Sequence, residues 1–159
     1  MARILTGKEV VAALREDLLG RVAALGERGV VPCLAIVRVG ERPDDVSYER
    51  TAVKRAEGLG VAVRRYELPA DAGQAQLEAV IDEVNADGTV HGCLLFRPLP
   101  PQIDERAVCE RLAPAKDVDG ITAASLAGVF AGTGEGFPPA TAQACLEMLD
   151  FYGIPAAGR

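Results

Sequence analysis

Val10, Val11, Ala13, Leu14, Leu18, Leu19, Val22 and Leu25 recur at helical spacing, which predicts an amphipathic helix starting after Thr6-Gly7 and ending near Gly26 to Gly29. The period then changes. Cys33-Leu34-Ala35-Ile36-Val37 is an unbroken apolar run closed by Gly40, the pattern of a strand covered on both faces of a parallel sheet. Asp44 or Asp45 is placed to cap a second helix reaching about Leu59, with Gly60 as its stop. A second strand is predicted over 61–68, ending at Pro69, and Leu77, Val80, Ile81 and Val84 share one face of a helix over 74–85. A third strand over 90–96 is broken by Pro98-Leu99-Pro100-Pro101, and 104–112 returns to helix. Residues 114–139 read as loop, and a last helix covers 141–152. This alternation predicts an α/β fold with an open, mostly parallel, three-layer sheet and covering helices.

The composition, 49% hydrophobic and 25% charged over 159 residues, suits one domain able to bury its own core. The net charge of −6, with basic residues scattered along the chain, argues against nucleic acid or an anionic membrane as partner. Cys33, Cys93, Cys109 and Cys145 form no CxxC pair, so reduced thiols are expected and no metal site is. Charges interrupt every apolar run in the opening MARILTGKEVVAALRED, so neither a signal peptide nor a membrane span is predicted and a cytoplasmic location is expected. Gly132-Thr133-Gly134-Glu135-Gly136 invites comparison with a phosphate loop. That reading is rejected, because no Lys-Ser/Thr follows and no strand clearly leads in.

Ligands of open α/β sheets bind beyond the carboxyl ends of the strands. Three segments qualify: Val39 to Tyr48 after the first strand, Phe96 to Pro100 after the third, and the loop Lys116-Asp117-Val118-Asp119-Gly120. In order, VG-x-x-P with Ser47-Tyr48, then RPLPPQID, then KDVDGI resemble the catalytic domain of the bifunctional methylenetetrahydrofolate dehydrogenase/cyclohydrolases. The likeness runs from LTGKEVVAALRE to PPATAQACLEMLDFYGI.

The resemblance implies a reduced-folate pocket lined by Tyr48, Pro98, Leu99, Pro100 and Asp119, with Tyr48 and Asp119 as its catalytic positions. Residues 1–159 would then be the folate-binding catalytic domain, the N-terminal part of a two-domain protein. NADP or NAD would be held by the other domain, expected directly after Gly158-Arg159, so no cofactor-binding residue is expected here. The resemblance also implies a homodimer formed mainly through that other domain. The implied activity is oxidation of 5,10-methylenetetrahydrofolate to the methenyl compound, with hydrolysis of the latter to 10-formyltetrahydrofolate. The chemistry is sensible, since a flat ligand needs an aromatic face and an aminopyrimidinone edge needs a carboxylate to accept its N–H groups.

Taken alone, Tyr48 would be a helix residue with its hydroxyl at the surface, and the two aspartates a turn with Asx hydrogen bonds. With the whole pattern in register, Tyr48 and Asp119 are read as ligand-binding and Asp117 as ordering the loop. Two departures stand out. The family's lysine, one helical turn after the tyrosine, falls at Ala52, and its glutamine before the Leu-Pro-Leu-Pro turn falls at Phe96, followed here by Arg97. Lys54 lies nearly opposite Tyr48 on the helix, and Arg97 cannot act as a base because it does not lose its proton. Asp45 stands where the family usually has serine, and Pro139-Ala140-Thr141-Ala142 replaces Pro-Cys-Thr-Pro. His91, before the third strand, is read as a surface or packing residue. Cyclohydrolase activity is therefore expected to be weakened or lost. The alternative is a non-catalytic protein that binds a folate or pterin-like ligand or serves as a scaffold.

Overall fold

The computed structural model describes residues 4–157; Met1 to Arg3 and Gly158-Arg159, after which the nucleotide-binding segment is expected, lie outside the described residues. The chain runs α1 (Gly7–Glu27), β1 (Cys33–Val39), α2 (Pro43–Glu57), β2 (Ala62–Leu68), α3 (Gln74–Ala86), β3 (Gly92–Leu95), α4 (Glu105–Arg111), a 3-10 turn (Pro114–Lys116), α5 (Ala123–Ala131) and α6 (Ala140–Phe151). The strands form one parallel sheet in the order β2-β1-β3.

The central strand β1 is the apolar run picked out by the sequence, and Ala35 to Val39 are all buried. Side chains alternate across it. Ala35, Val37 and Val39 join Leu77, Ile81 and Val84 of α3 and Val108 and Cys109 of α4 in the main core. Arg38, on the other face, meets Glu49 of α2. Edge strand β2 has a half-buried pattern, and its Arg64, Arg65 and Glu67 keep that edge charged, which disfavours pairing with another chain. Val37 pairs with Leu95, and Phe96 N donates to Val37 O at 2.9 Å, so the loops after β1 and β3 leave the sheet side by side.

Several boundaries differ from the sequence reading. β3 is shorter at both ends, although His91 N still donates to Cys33 O at 2.9 Å. Neither Asp44 nor Asp45 caps α2. Arg42 occupies the N-cap position without a side-chain bond and Pro43 is in the first turn, where its fixed φ and missing N–H suit a helix start. The two aspartates sit inside that turn, favourably placed toward the positive end of the helix dipole. Helix α5 lies within the segment read as loop. The Thr122 hydroxyl caps it by accepting from Ser125 N at 3.0 Å, and its interior Gly128, which obscures the helical pattern, is required because a Cβ there would run into the Glu135 backbone. The apolar stripe of α1 is largely uncovered: Val10 is buried, whereas Val11 is 61% exposed.

Candidate functional site

The Lys116–Gly120 loop is assembled by two residues whose side chains bond within the fold. Lys116 Nζ donates to the carbonyls of Val84, Asn85 and Asp87 at 2.6, 3.0 and 2.8 Å, satisfying acceptors left open at the end of α3. Asp117 is fully buried: Oδ1 accepts from Ile121 N at 2.9 Å, and Oδ2 from Thr122 N at 2.8 Å and Ser125 Oγ at 2.7 Å. Asp117 therefore orders the loop. Burial disfavours its charge, but the bonds from Ile121, Ser125 and Thr122 outweigh that and hold its pKa below the usual aspartate value. Gly120 has φ +66°, and a Cβ there would lie 2.6 Å from Pro139 N, so the loop closes against the start of α6 only with glycine.

Asp119 is left facing open space. Among the described residues its carboxylate takes no hydrogen bond, and it lines a cavity of about 450 Å³ with Asp44, Asp45, Tyr48, Phe96 and Arg97. Burial pushes its pKa up; Arg97 opposes that shift and Asp117 adds to it. Tyr48, 61% exposed, presents its ring to the same space. It packs edge-on against Phe96, with centroids 5.5 Å apart and planes at 61°. Phe96 is itself buried and closes this side of the cavity with an apolar ring. Ala52, one turn after Tyr48, is half-buried; Lys54 lines a different cavity, beside Arg38 and Glu49.

Pro98, Leu99 and Pro100 do not line the Tyr48–Asp119 cavity. They form a wall of its neighbour, about 430 Å³, with Val39 to Arg42 opposite. The Arg97–Pro98 peptide is cis, Arg42 Nη1 donates to Pro98 O at 3.4 Å, and Arg97 stands in one cavity while Pro98 stands in the other. His91 lies at the opposite, amino end of the strands, where Nδ1 accepts from Cys33 N at 3.2 Å.

The pair that seats Tyr48 lies outside the sequence motifs. Arg38 Nε and Glu49 Oε2 are 2.7 Å apart, with side chains 6% and 5% exposed. Arg38 also reaches Glu67 at 3.1 Å and donates to Gly40 O, while Arg65 approaches the other Glu49 oxygen at 3.4 Å. Glu49 is the residue after Tyr48, so the network fixes α2 against β1 next to the site. The available signal was an arginine inside an otherwise apolar strand, which demands a buried counter-charge. No group of three or more His, Cys, Asp or Glu among the described residues is arranged to hold a metal, and no described helix is long and apolar enough to cross a membrane.

Residues 5–119 match the family model for the tetrahydrofolate dehydrogenase/cyclohydrolase catalytic domain. The bifunctional protein FolD of Carboxydothermus hydrogenoformans is 45% identical over 159 residues, all of this chain but 55% of that protein. The structure of the bifunctional enzyme FolD from Campylobacter jejuni superposes with a TM-score of 0.90 at 32% identity, covering 93% of this chain and 52% of that one. That of the Trypanosoma brucei enzyme, complexed with NADP and an inhibitor, gives 0.91 at 30%, covering 99% and 54%. The chain thus spans about half the length of the relatives it matches. With its fold, its loop order and its matched residues in agreement, the chain belongs to the tetrahydrofolate dehydrogenase/cyclohydrolase family, in the part that forms the catalytic domain.

Proposed function

We propose that this chain is the folate-binding half of a longer cytoplasmic enzyme that oxidises 5,10-methylenetetrahydrofolate with NADP or NAD, and whose hydrolysis of the methenyl product is weakened. The observation that carries this reading is Asp119, a half-buried carboxylate with open acceptor positions in the cavity that also holds the Tyr48 ring. A pterin supplies what that cavity lacks: a flat face for Tyr48 and N–H donors for Asp119. The four unpaired cysteines suit a reducing compartment.

The glycine cluster at 132–136 follows α5 and not a strand, so it lacks the strand–loop–helix order of a dinucleotide phosphate site. The family likeness, with the chain spanning about half of its relatives, supports placing the nicotinamide cofactor and the main contact of a homodimer in the rest of the longer protein. Oxidation by hydride transfer depends chiefly on orientation, which Tyr48 and Asp119 would supply. Hydrolysis needs a proton-transfer group, and Ala52 and Phe96 offer none.

Calorimetric titration with 5-formyltetrahydrofolate tests the pocket. Asp119→Ala should weaken binding ~10- to 100-fold, the loss associated with a charge-assisted hydrogen bond. Unchanged affinity, or no binding by the unaltered protein, would remove the assignment. The buried Phe96 against Tyr48 also favours a second reading, a protein that binds a folate or pterin-like ligand without turnover. Absence of dehydrogenase activity in the full-length protein, with binding intact, would select it.

A further inference from the structure

Pro98-Leu99-Pro100-Pro101 contains one backbone N–H, that of Leu99, because proline has none. The turn therefore has a single donor by which it can be tied down. That donor goes to Glu105 Oε2 at 2.8 Å. The other oxygen of the same carboxylate, Oε1, lies 3.7 Å from Arg97 Nη1. Glu105 thus spans the wall between the two cavities, accepting a hydrogen bond from the backbone of the Pro98–Pro100 side with one oxygen and facing the guanidinium of the Tyr48–Asp119 side at ion-pair distance with the other.

Its own position is firm. Glu105 opens α4, whose preceding Asp104 caps the helix by accepting from Ala107 N at 3.0 Å and is tied to α3 by donating its N–H to Gln74 Oε1 at 2.7 Å. Val108, Cys109 and Leu112 anchor the same segment in the core. The remaining tethers act on the turn's carbonyls: Ile103 N on Pro100 O at 3.0 Å, and the exposed Arg42 on Pro98 O at 3.4 Å. A partly exposed ion pair at this distance adds little to stability, so the pairing with Arg97 is better explained by where it puts the charge.

We propose that Glu105 is a positioning residue of the ligand site: its two oxygens fix Leu99 and Arg97 relative to one another, and so set where the Arg97 charge stands in the cavity it shares with Asp119. The identity of the ligand rests on the folate reading above; the tether does not.

The experiment compares Glu105→Ala and Glu105→Gln in the full-length protein. Without ligand, the Leu99 amide should exchange with solvent ~30-fold faster in Glu105→Ala, whereas in Glu105→Gln, whose amide oxygen still accepts, it should stay within ~3-fold of the unaltered protein. Ile36 and Val37 amides in β1 should not change in either. Unchanged Leu99 exchange, or acceleration shared by β1, overturns the proposal. With 5-formyltetrahydrofolate, affinity should fall ~10-fold in Glu105→Ala and by an intermediate factor in Glu105→Gln, which keeps the Leu99 bond but presents no charge to Arg97. Full affinity in Glu105→Ala overturns the proposal. Failure of the unaltered protein to bind that folate instead removes the ligand assignment, and the Leu99 exchange then decides the role of Glu105 by itself.

Discussion

Asp117 and Asp119 are the same residue type two positions apart, and their surroundings drive them in opposite directions. Asp117 is desolvated but meets three donors, so its pKa is lowered. Its stabilising contribution is therefore complete above the unfolded pKa and is lost as pH falls through the lower folded value. Asp119 is desolvated without such bonds, so its pKa is raised. Accepting N–H donors requires its ionised form, so folate affinity should fall on acidification at a pH above the ordinary aspartate value of 3.8. Arg97→Gln, which removes the opposing cation, should move that midpoint further up. Titration from pH 4 to 8 checks this, and a midpoint unmoved by Arg97→Gln would contradict it. Ala52 and Phe96 carry a second residue-scale expectation. The full-length protein should hydrolyse methenyltetrahydrofolate ~10²- to 10⁴-fold more slowly than lysine-bearing relatives, the usual contribution of a placed proton-transfer group. Ala52→Lys alone puts an ammonium near the buried Phe96 ring and should recover little. Ala52→Lys with Phe96→Gln should recover more than the two single changes together. Methenyltetrahydrofolate decay, corrected for spontaneous hydrolysis, is the assay.

At the scale of elements, α2 carries Tyr48 but is seated by the next residue. Glu49 answers a charge that β1 buries, and Glu67 and Arg65 of β2 complete the network, so one cluster joins a helix to two strands. Replacing both partners by apolar residues is often tolerated in such clusters, whereas removing one leaves a charge buried without its partner. Glu49→Ala should accordingly cost about 3–5 kcal/mol in urea unfolding. A loss under about 1 kcal/mol, the range of exposed pairs, would show that Glu67 alone compensates Arg38. Lys116 does comparable work on the opposite side of the site, where one ammonium gathers three carbonyls at the end of α3 and leaves the following loop free to present Asp119.

Across the whole molecule, the chain corresponds to about half of its relatives, and apolar side chains remain at the surface of three helices. Phe130 of α5 is 96% exposed, Val11 of α1 61% and Leu146 of α6 48%. The glycine-rich segment most reminiscent of a nucleotide loop follows a helix and not a strand. Residues 1–159 by themselves should therefore reduce neither NAD⁺ nor NADP⁺ with methylenetetrahydrofolate, whereas the full-length protein should reduce one of them. Absorbance at 340 nm reads the outcome, and hydride transfer by residues 1–159 alone would overturn the assignment of the cofactor to the rest of the protein.

The β1 strand, the apolar face of α3 and the presence of α4 follow from hydrophobic periodicity and proline and glycine placement, because these are local properties of the chain. That Asp117 turns inward while Asp119 faces a cavity was legible only with the full motif in register, since nothing in an Asp-x-Asp spacing says which carboxylate turns inward. Helix α5 was hidden because its interior glycine answers a contact with Glu135, seven residues away. The Arg38–Glu49 pair, the division of Arg97 and Pro98 between two cavities, and the grip of Glu105 on Leu99 and Arg97 required the tertiary structure. Each joins groups on different elements, whose distances are set by how the helices pack on the sheet and not by the periodicity of any one segment.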